Sequence, residues 1–146
     1  MKTDEVVNVL VRKQIAQPQD IVGCTDEEIS ELERQVGLTL PTAYRDFLRT
    51  MGHRAGSFMV GTDFFYDDLR GLRDALVECL AQMRVDFQMP LDLFVFSSHQ
   101  GYIFHFFRTT EGDDPPVYGF SEVDPTVRQK WPTFSDALLG FAEGSR

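Results

Sequence analysis

Apolar residues recur with a helical period through the first half of the chain and with a strand period through much of the second. Between Thr25 and Gly52 two helices follow one another closely. Thr25 is placed to cap the first, with Glu28 three residues on to complete a capping box. Ile29, Leu32 and Val36 fall at i, i+3 and i+7, Gly37 stands at the stop, and Leu38 is positioned to fold back on Leu32. Pro41 suits the first turn of the second helix, whose stripe is Tyr44, Phe47, Leu48 and Met51 before Gly52. The result is a helical hairpin that cannot bury both stripes by itself.

Upstream, Asp4 to Gln17 reads as an amphipathic helix with Val6, Val7, Leu10, Val11 and Ile15 inward, ended by Pro18. As a terminal segment over 1–18 it is a candidate for loose attachment. Downstream of Gly52, Phe58–Val60 suits a short strand in a loop. Asp63 or Asp67 then opens a helix with Leu69, Leu72, Leu76, Leu80 and Met83 on one face, weakened by about 1 kcal/mol at Gly71.

Leu93–Ser97 and Tyr102–Phe107 read as strands around a Ser-His-Gln-Gly turn, and both faces of the second are apolar. The polar stretch TTEGDDPP leads to a third strand at Val117–Phe120, and connections this short imply antiparallel pairing. Thr133 caps a last helix with Phe134, Ala137, Leu138 and Phe141 inward. The predicted fold is α+β. One domain spans 1–146, with an antiparallel or mixed sheet of about four to six strands flanked by helices and led by the hairpin.

Charge narrows the partners. Of a net charge of −9, the stretch Val60–Pro125 holds 12 acidic and 4 basic residues, or −8. Such a field repels nucleic acid and anionic membranes and attracts basic partners. Aromatic strands can stack bases, but those platforms come with basic residues, of which the strand region has almost none. With no signal-peptide core, no run of membrane-spanning length and two cysteines best explained as free thiols, a cytoplasmic location is expected.

Motifs for chemistry are missing: there is no phosphate-cradling glycine loop, no HExxH and no paired CxxC. His99 and His105 could approach one another, but without a clear third ligand they are better explained as structural or surface histidines, as is His53. Cys79 falls on the leucine stripe as a small apolar residue. Cys24 precedes a helix start with no histidine near it in sequence to activate it. Asp67-Asp68 and Asp113-Asp114 are explained by a helix start and a turn. No catalytic residue, metal site or cofactor is therefore assigned.

The string E-I-x-x-L-E-x-x-x-G-L-x-L-P-x-x-Y-x-x-F-L-x-x-x-G resembles the amino-terminal signature of the SUKH superfamily. It is carried here by Ile29, Leu32, Glu33, Gly37, Leu38, Leu40, Pro41, Tyr44, Phe47, Leu48 and Gly52. The later order is similar too: Leu93 to Phe96, a turn with Gly101, alternating aromatics, Val117-Tyr118, then Thr133 to Leu138. The likeness spans Thr25 to about Phe141. It departs at Met51 to Arg54, where many relatives have an Asn-Gly-Gly-type turn, and in lacking a mid-chain tryptophan whose place the Phe64-Phe65-Tyr66 cluster takes.

The resemblance implies a non-enzymatic protein-binding module, foremost a bacterial immunity protein that blocks a cognate polymorphic toxin domain. A regulatory or scaffolding domain, like the fungal cell-wall-assembly regulators, is the second reading. A small metal-dependent hydrolase using His99, His105 and distant acids is the third. From charge clustering alone, the expected surface for a basic partner comprises Glu111, Asp113, Asp114, Glu122 and Asp124, with Asp63, Asp67 and Asp68 as neighbours and Tyr66 and Tyr118 as aromatic anchors. The oligomeric state stays open.

Overall fold

The computed structural model describes residues 2–145. Its helices are α1 (Lys2–Arg12), α2 (Asp26–Val36), α3 (Thr42–Met51), α4 (Leu72–Gln82) and α5 (Phe134–Gly144). The strands are β1 (Ile21–Val22), β2 (Arg54–Ala55), β3 (Leu93–His99), β4 (Ile103–Arg108), β5 (Val117–Ser121) and β6 (Arg128–Trp131). β1 and β2 form a small antiparallel ribbon, and β3 to β6 form a four-stranded antiparallel meander in chain order. No helix among the described residues is long and apolar enough to cross a membrane.

α1 ends at Arg12, earlier than its apolar pattern suggests, because Gln14 takes a φ of 61° and turns the chain. Ile15 and Ala16 are still buried, but as part of the connection that follows. Val6 and Leu10 are fully buried, and α1 packs along α5, where Lys13 Nζ donates to the carbonyls of Glu143 and Ser145.

The hairpin has the expected punctuation. Thr25 Oγ1 accepts from the Glu28 amide at 3.1 Å, and Glu28 Oε1 accepts from the Thr25 amide at 2.9 Å. Gly37 ends α2 with a φ of 72°, a conformation that costs other residues a Cβ clash. Glu33 then reaches forward, its Oε2 accepting from the Leu40 amide at 2.7 Å, and so fixes the connector. Pro41 is the N-cap of α3 rather than a residue of its first turn. Tyr44, Phe47, Leu48 and Met51 are all fully buried. Gly52 is required by proximity, since a Cβ there would lie 2.6 Å from both Cys24 Sγ and the Leu48 carbonyl.

Two local expectations are overturned. The segment Phe58–Val60 is a turn, with Phe58 buried, Met59 at a φ of 56° and Val60 exposed; the strand of this region is Arg54–Ala55, paired with Ile21–Val22. The helix expected from Asp63 or Asp67 begins as a 3-10 helix at Tyr66–Gly71, and α4 proper starts at Leu72. Gly71 stands at that junction, where its low helix propensity does no harm.

In the sheet, Gln100 and Gly101 both take positive φ in the three-residue connection between His99 and Ile103, where the Tyr102 amide donates to the His99 carbonyl at 3.2 Å. Phe94, Phe96 and Phe107 face α3 and α5, gathering around Tyr44 and Phe134. Phe106 belongs to the opposite face, against Phe87 and Tyr118, and α4 packs along β3. Both faces of β4 are thus covered. β6 was not anticipated: its residues Arg128, Gln129 and Lys130 are exposed and carry no apolar alternation.

Candidate partner-binding surface

The connection from β4 to β5 carries three of the acids expected at the surface. Gly112, at a φ of 105°, lets it turn. Glu111 is exposed and accepts from Tyr118 Oη at 3.0 and 3.2 Å. Tyr118 is half-buried with its ring stacked on Phe106, and its pKa is raised, first by burial and then by Glu111. The Asp113 carbonyl accepts from the Ala43 amide at 2.9 Å, and its exposed carboxylate accepts a long 3.5 Å contact from Thr42 Oγ1. Asp114 Oδ1 accepts from the Ser135 amide at 2.9 Å, so it satisfies the first turn of α5.

These acids share a surface with others that the sequence reading passed over. Asp113 and Asp114 line a shallow hollow with Asp46, Lys2, Thr42 and Ser135. From Asp46 the acidic face continues across α3. Arg49 Nη1 lies 3.2 Å from Asp46 Oδ1, and Arg49 Nε lies 2.7 Å from Asp26 Oδ1. Asp26 adjoins Glu27 and Glu31 along α2. Asp26 and Glu27 open α2 and Glu31 follows one turn on; nothing in their sequence positions ties them to Asp113. Three separate elements thus bring Asp26, Glu27, Glu31, Asp46, Asp113 and Asp114 to neighbouring surface, where Lys2, Arg34 and Arg49 offset part of their charge.

The remaining expected residues lie elsewhere. Glu122 and Asp124 follow β5 while Asp113 and Asp114 precede it, so a strand of five residues, about 15 Å, separates the two groups. Asp124 pairs with Arg128 at 2.9 Å. Asp63 exchanges backbone hydrogen bonds with Ser98 near the end of β3. Asp67 and Asp68 are exposed on the 3-10 helix, and Asp68 Oδ2 accepts from the Phe64 amide at 3.3 Å. Tyr66 offers no surface ring: it is buried, donates to the Glu28 carbonyl at 2.8 Å and lies under the Arg70 guanidinium.

The histidines do not converge. His99 Nδ1 contacts Thr62 Oγ1 at 2.9 Å. His105 lies among Phe96, Trp131 and Phe141 with a buried Nδ1 that meets no partner among the described residues, and burial followed by Lys130 holds its pKa down to about 4. Among the described residues neither belongs to a group of three metal-ligand types, whereas Cys24, Glu28 and His53 do. Here the fold brings together what the sequence keeps apart, for His53 comes beside Cys24. The thiol pKa is pushed up to about 12 by burial, then by Glu28 and Asp67, with Arg70 opposing. It is therefore a protonated thiol at neutral pH, and the cluster is no activated nucleophile. Glu28 is held below the usual carboxylate range by the Thr25 amide and then by His53, whose Nε2 is 2.9 Å from Oε2.

No curated protein matches the chain. Residues 23–140 match the model of the SMI1 / KNR4 family (SUKH-1), covering the hairpin, the meander and most of α5. The likeness carried by the Gly37-to-Pro41 connector and the aromatic strands therefore extends over the greater part of the fold, and the chain belongs to the SMI1 / KNR4 family (SUKH-1).

Proposed function

We propose that this chain is an immunity-type binding module that blocks a cognate toxin domain with the acidic face formed by the 109–116 loop, α3 and the start of α2. The observation that carries the reading is the joining of carboxylates from three elements, Asp113 with Asp46 and, through Arg49, Asp26. Family membership supports a protein-binding role and leaves the partner to chemistry. A toxin that attacks nucleic acid needs a basic cleft. An acidic face steers itself toward such a cleft and, once docked, excludes the phosphates the cleft is built to hold. Rigidity favours this use, because the face rests on two helices anchored in the core by Ile29 and Leu32 and by Tyr44, Phe47, Leu48 and Met51, and so loses little entropy on docking.

The test has two stages. Affinity capture from lysate of the host, read by mass spectrometry, should retrieve the carboxy-terminal part of a large secreted polypeptide at near-equal stoichiometry. Recovery of envelope-assembly or housekeeping proteins instead would establish the regulatory reading. Association kinetics of the captured toxin domain are then measured for Asp46→Lys combined with Asp113→Lys. Asp114 is left intact because it serves α5. Slower association with a shallower salt dependence is expected; unchanged kinetics would exclude this face.

A further inference from the structure

Cys24 lies just before α2, Glu28 in its first turn and His53 just past α3. The thiol, one carboxylate oxygen and one ring nitrogen of these residues lie within 4.8 Å of one another. The geometry points to a binding site for a divalent transition-metal ion of the zinc type, held by Cys24 Sγ, a Glu28 oxygen and a His53 ring nitrogen, that clamps α2 to the end of α3.

The donor set selects the class of ion. A thiolate, an imidazole and a carboxylate suit zinc, the Cys24 thiol releasing its proton to solvent as the ion binds, while calcium and magnesium require oxygen ligands throughout. Zinc bonds of about 2.3 Å to sulfur and about 2.0–2.1 Å to nitrogen and oxygen place tetrahedral ligand atoms roughly 3.3–3.6 Å apart. The 2.9 Å contact between His53 and Glu28 is slightly tighter than this, and the 4.8 Å limit on the set is looser. Movements of about an ångström therefore form the site. The side chains able to make them are on the solvent side, since His53 is 25% and Glu28 34% exposed.

Cys24, in contrast, is fixed. Its amide donates to the Leu48 carbonyl at 2.7 Å, and Gly52 packs directly behind the sulfur. Glu28 uses Oε1 to complete the helix cap, and Oε2 lies against His53. The acids Glu28 and Asp67 act on Cys24, so the local field attracts a cation despite Arg70. His53 and Glu28 are partly exposed, so solvent water can supply the fourth ligand. A His53–Glu28 ion pair alone would account for two of these residues and leave the thiol idle. Participation of Cys24 is what separates the two accounts.

The full chain, stripped with chelator and kept reduced, is titrated with cobalt(II) chloride and followed by absorbance. One equivalent should produce a near-ultraviolet thiolate-to-cobalt charge-transfer band with tetrahedral visible bands, and zinc chloride should bleach both. Cys24→Ser should abolish the charge-transfer band, and Cys79→Ser, elsewhere in the fold, should leave it intact. His53→Gln should weaken cobalt binding at least tenfold, in line with loss of a ligand. Zinc should raise the melting temperature of the unmodified chain but not of Cys24→Ser. Absence of the band in the folded chain, or its loss in Cys79→Ser with retention in Cys24→Ser, overturns the assignment. If Cys24→Ser does not fold by circular dichroism, His53→Gln decides, and unchanged cobalt affinity in that variant rejects the site.

Discussion

Tyr44 makes an informative perturbation because its ring and its hydroxyl pull in opposite directions. The ring is fully buried, with centroids of Phe134, Phe107, Phe94 and Phe47 at 5.1, 5.2, 5.3 and 5.5 Å. The hydroxyl, equally buried, meets no hydrogen-bond partner among the described residues, and burial raises its pKa well above that of an ordinary tyrosine. A buried, unpartnered polar group costs about 1–3 kcal/mol. Tyr44→Phe removes that cost and keeps the ring contacts, so it should stabilise the fold by about 1 kcal/mol or more. With a urea m-value of about 1–3 kcal/mol/M, the unfolding midpoint should rise by roughly 0.5 M. Tyr44→Ala is the opposing control, with an expected loss of about 3–5 kcal/mol from the emptied ring site. Urea unfolding followed by tryptophan fluorescence and circular dichroism reads both variants. A Tyr44→Phe protein that is less stable by 1 kcal/mol or more would refute the reasoning, since it would mean the hydroxyl is satisfied in the native protein.

The His105 ring supplies a pH prediction. Its folded pKa of about 4 lies below the unfolded value of 6.5, so the unfolded chain takes up the proton first. Stability contributed by the neutral ring is complete above pH 6.5 and is lost as pH falls toward 4. The loss amounts to roughly 3 kcal/mol at most, and denaturation curves of His105→Gln across this range should show a flatter pH dependence. Gly52→Ala should lower stability by about 1–3 kcal/mol, because the new methyl group meets Cys24 Sγ and the Leu48 carbonyl at 2.6 Å. Thermal unfolding checks it. Asp114→Ala should cost about 0.5–2 kcal/mol by orphaning the Ser135 amide, visible as faster hydrogen exchange in the first turn of α5.

Legibility followed the range of the interactions. The α2–α3 hairpin could be read because its signals are local: Thr25 and Glu28 cap each other across three residues, and Gly37 stops the helix by its own backbone freedom. The alternating aromatics of β4 likewise announced a strand buried on both faces. The β1–β2 ribbon could not be read, since Ile21–Val22 finds Arg54–Ala55 only after the whole hairpin has folded. β6 is an edge strand whose exposed Arg128, Gln129 and Lys130 leave no hydrophobic trace. Among the expected surface residues, adjacency in sequence misled. Glu122 and Asp124 lie close to Asp114 along the chain yet beyond the other end of β5, while Asp46 and Asp26, far away in sequence, share its surface. His53 beside Cys24 is a product of the hairpin, and no spacing rule links two residues held by the ends of different helices.

The packing of α1 against α5 imposes an order on assembly. During synthesis, Val6 and Leu10 leave the ribosome well before Phe134–Gly144, the helix along which α1 packs. The meander between them closes through short turns and can form as it emerges, and α1 can meet α3 early, whereas the part of α1 that packs on α5 must wait. A nascent chain halted before residue 134 would present that part to whatever else is in reach. Emergence of α5 is therefore the event that completes the packing of α1, and a chaperone that shields apolar helices has its window before it.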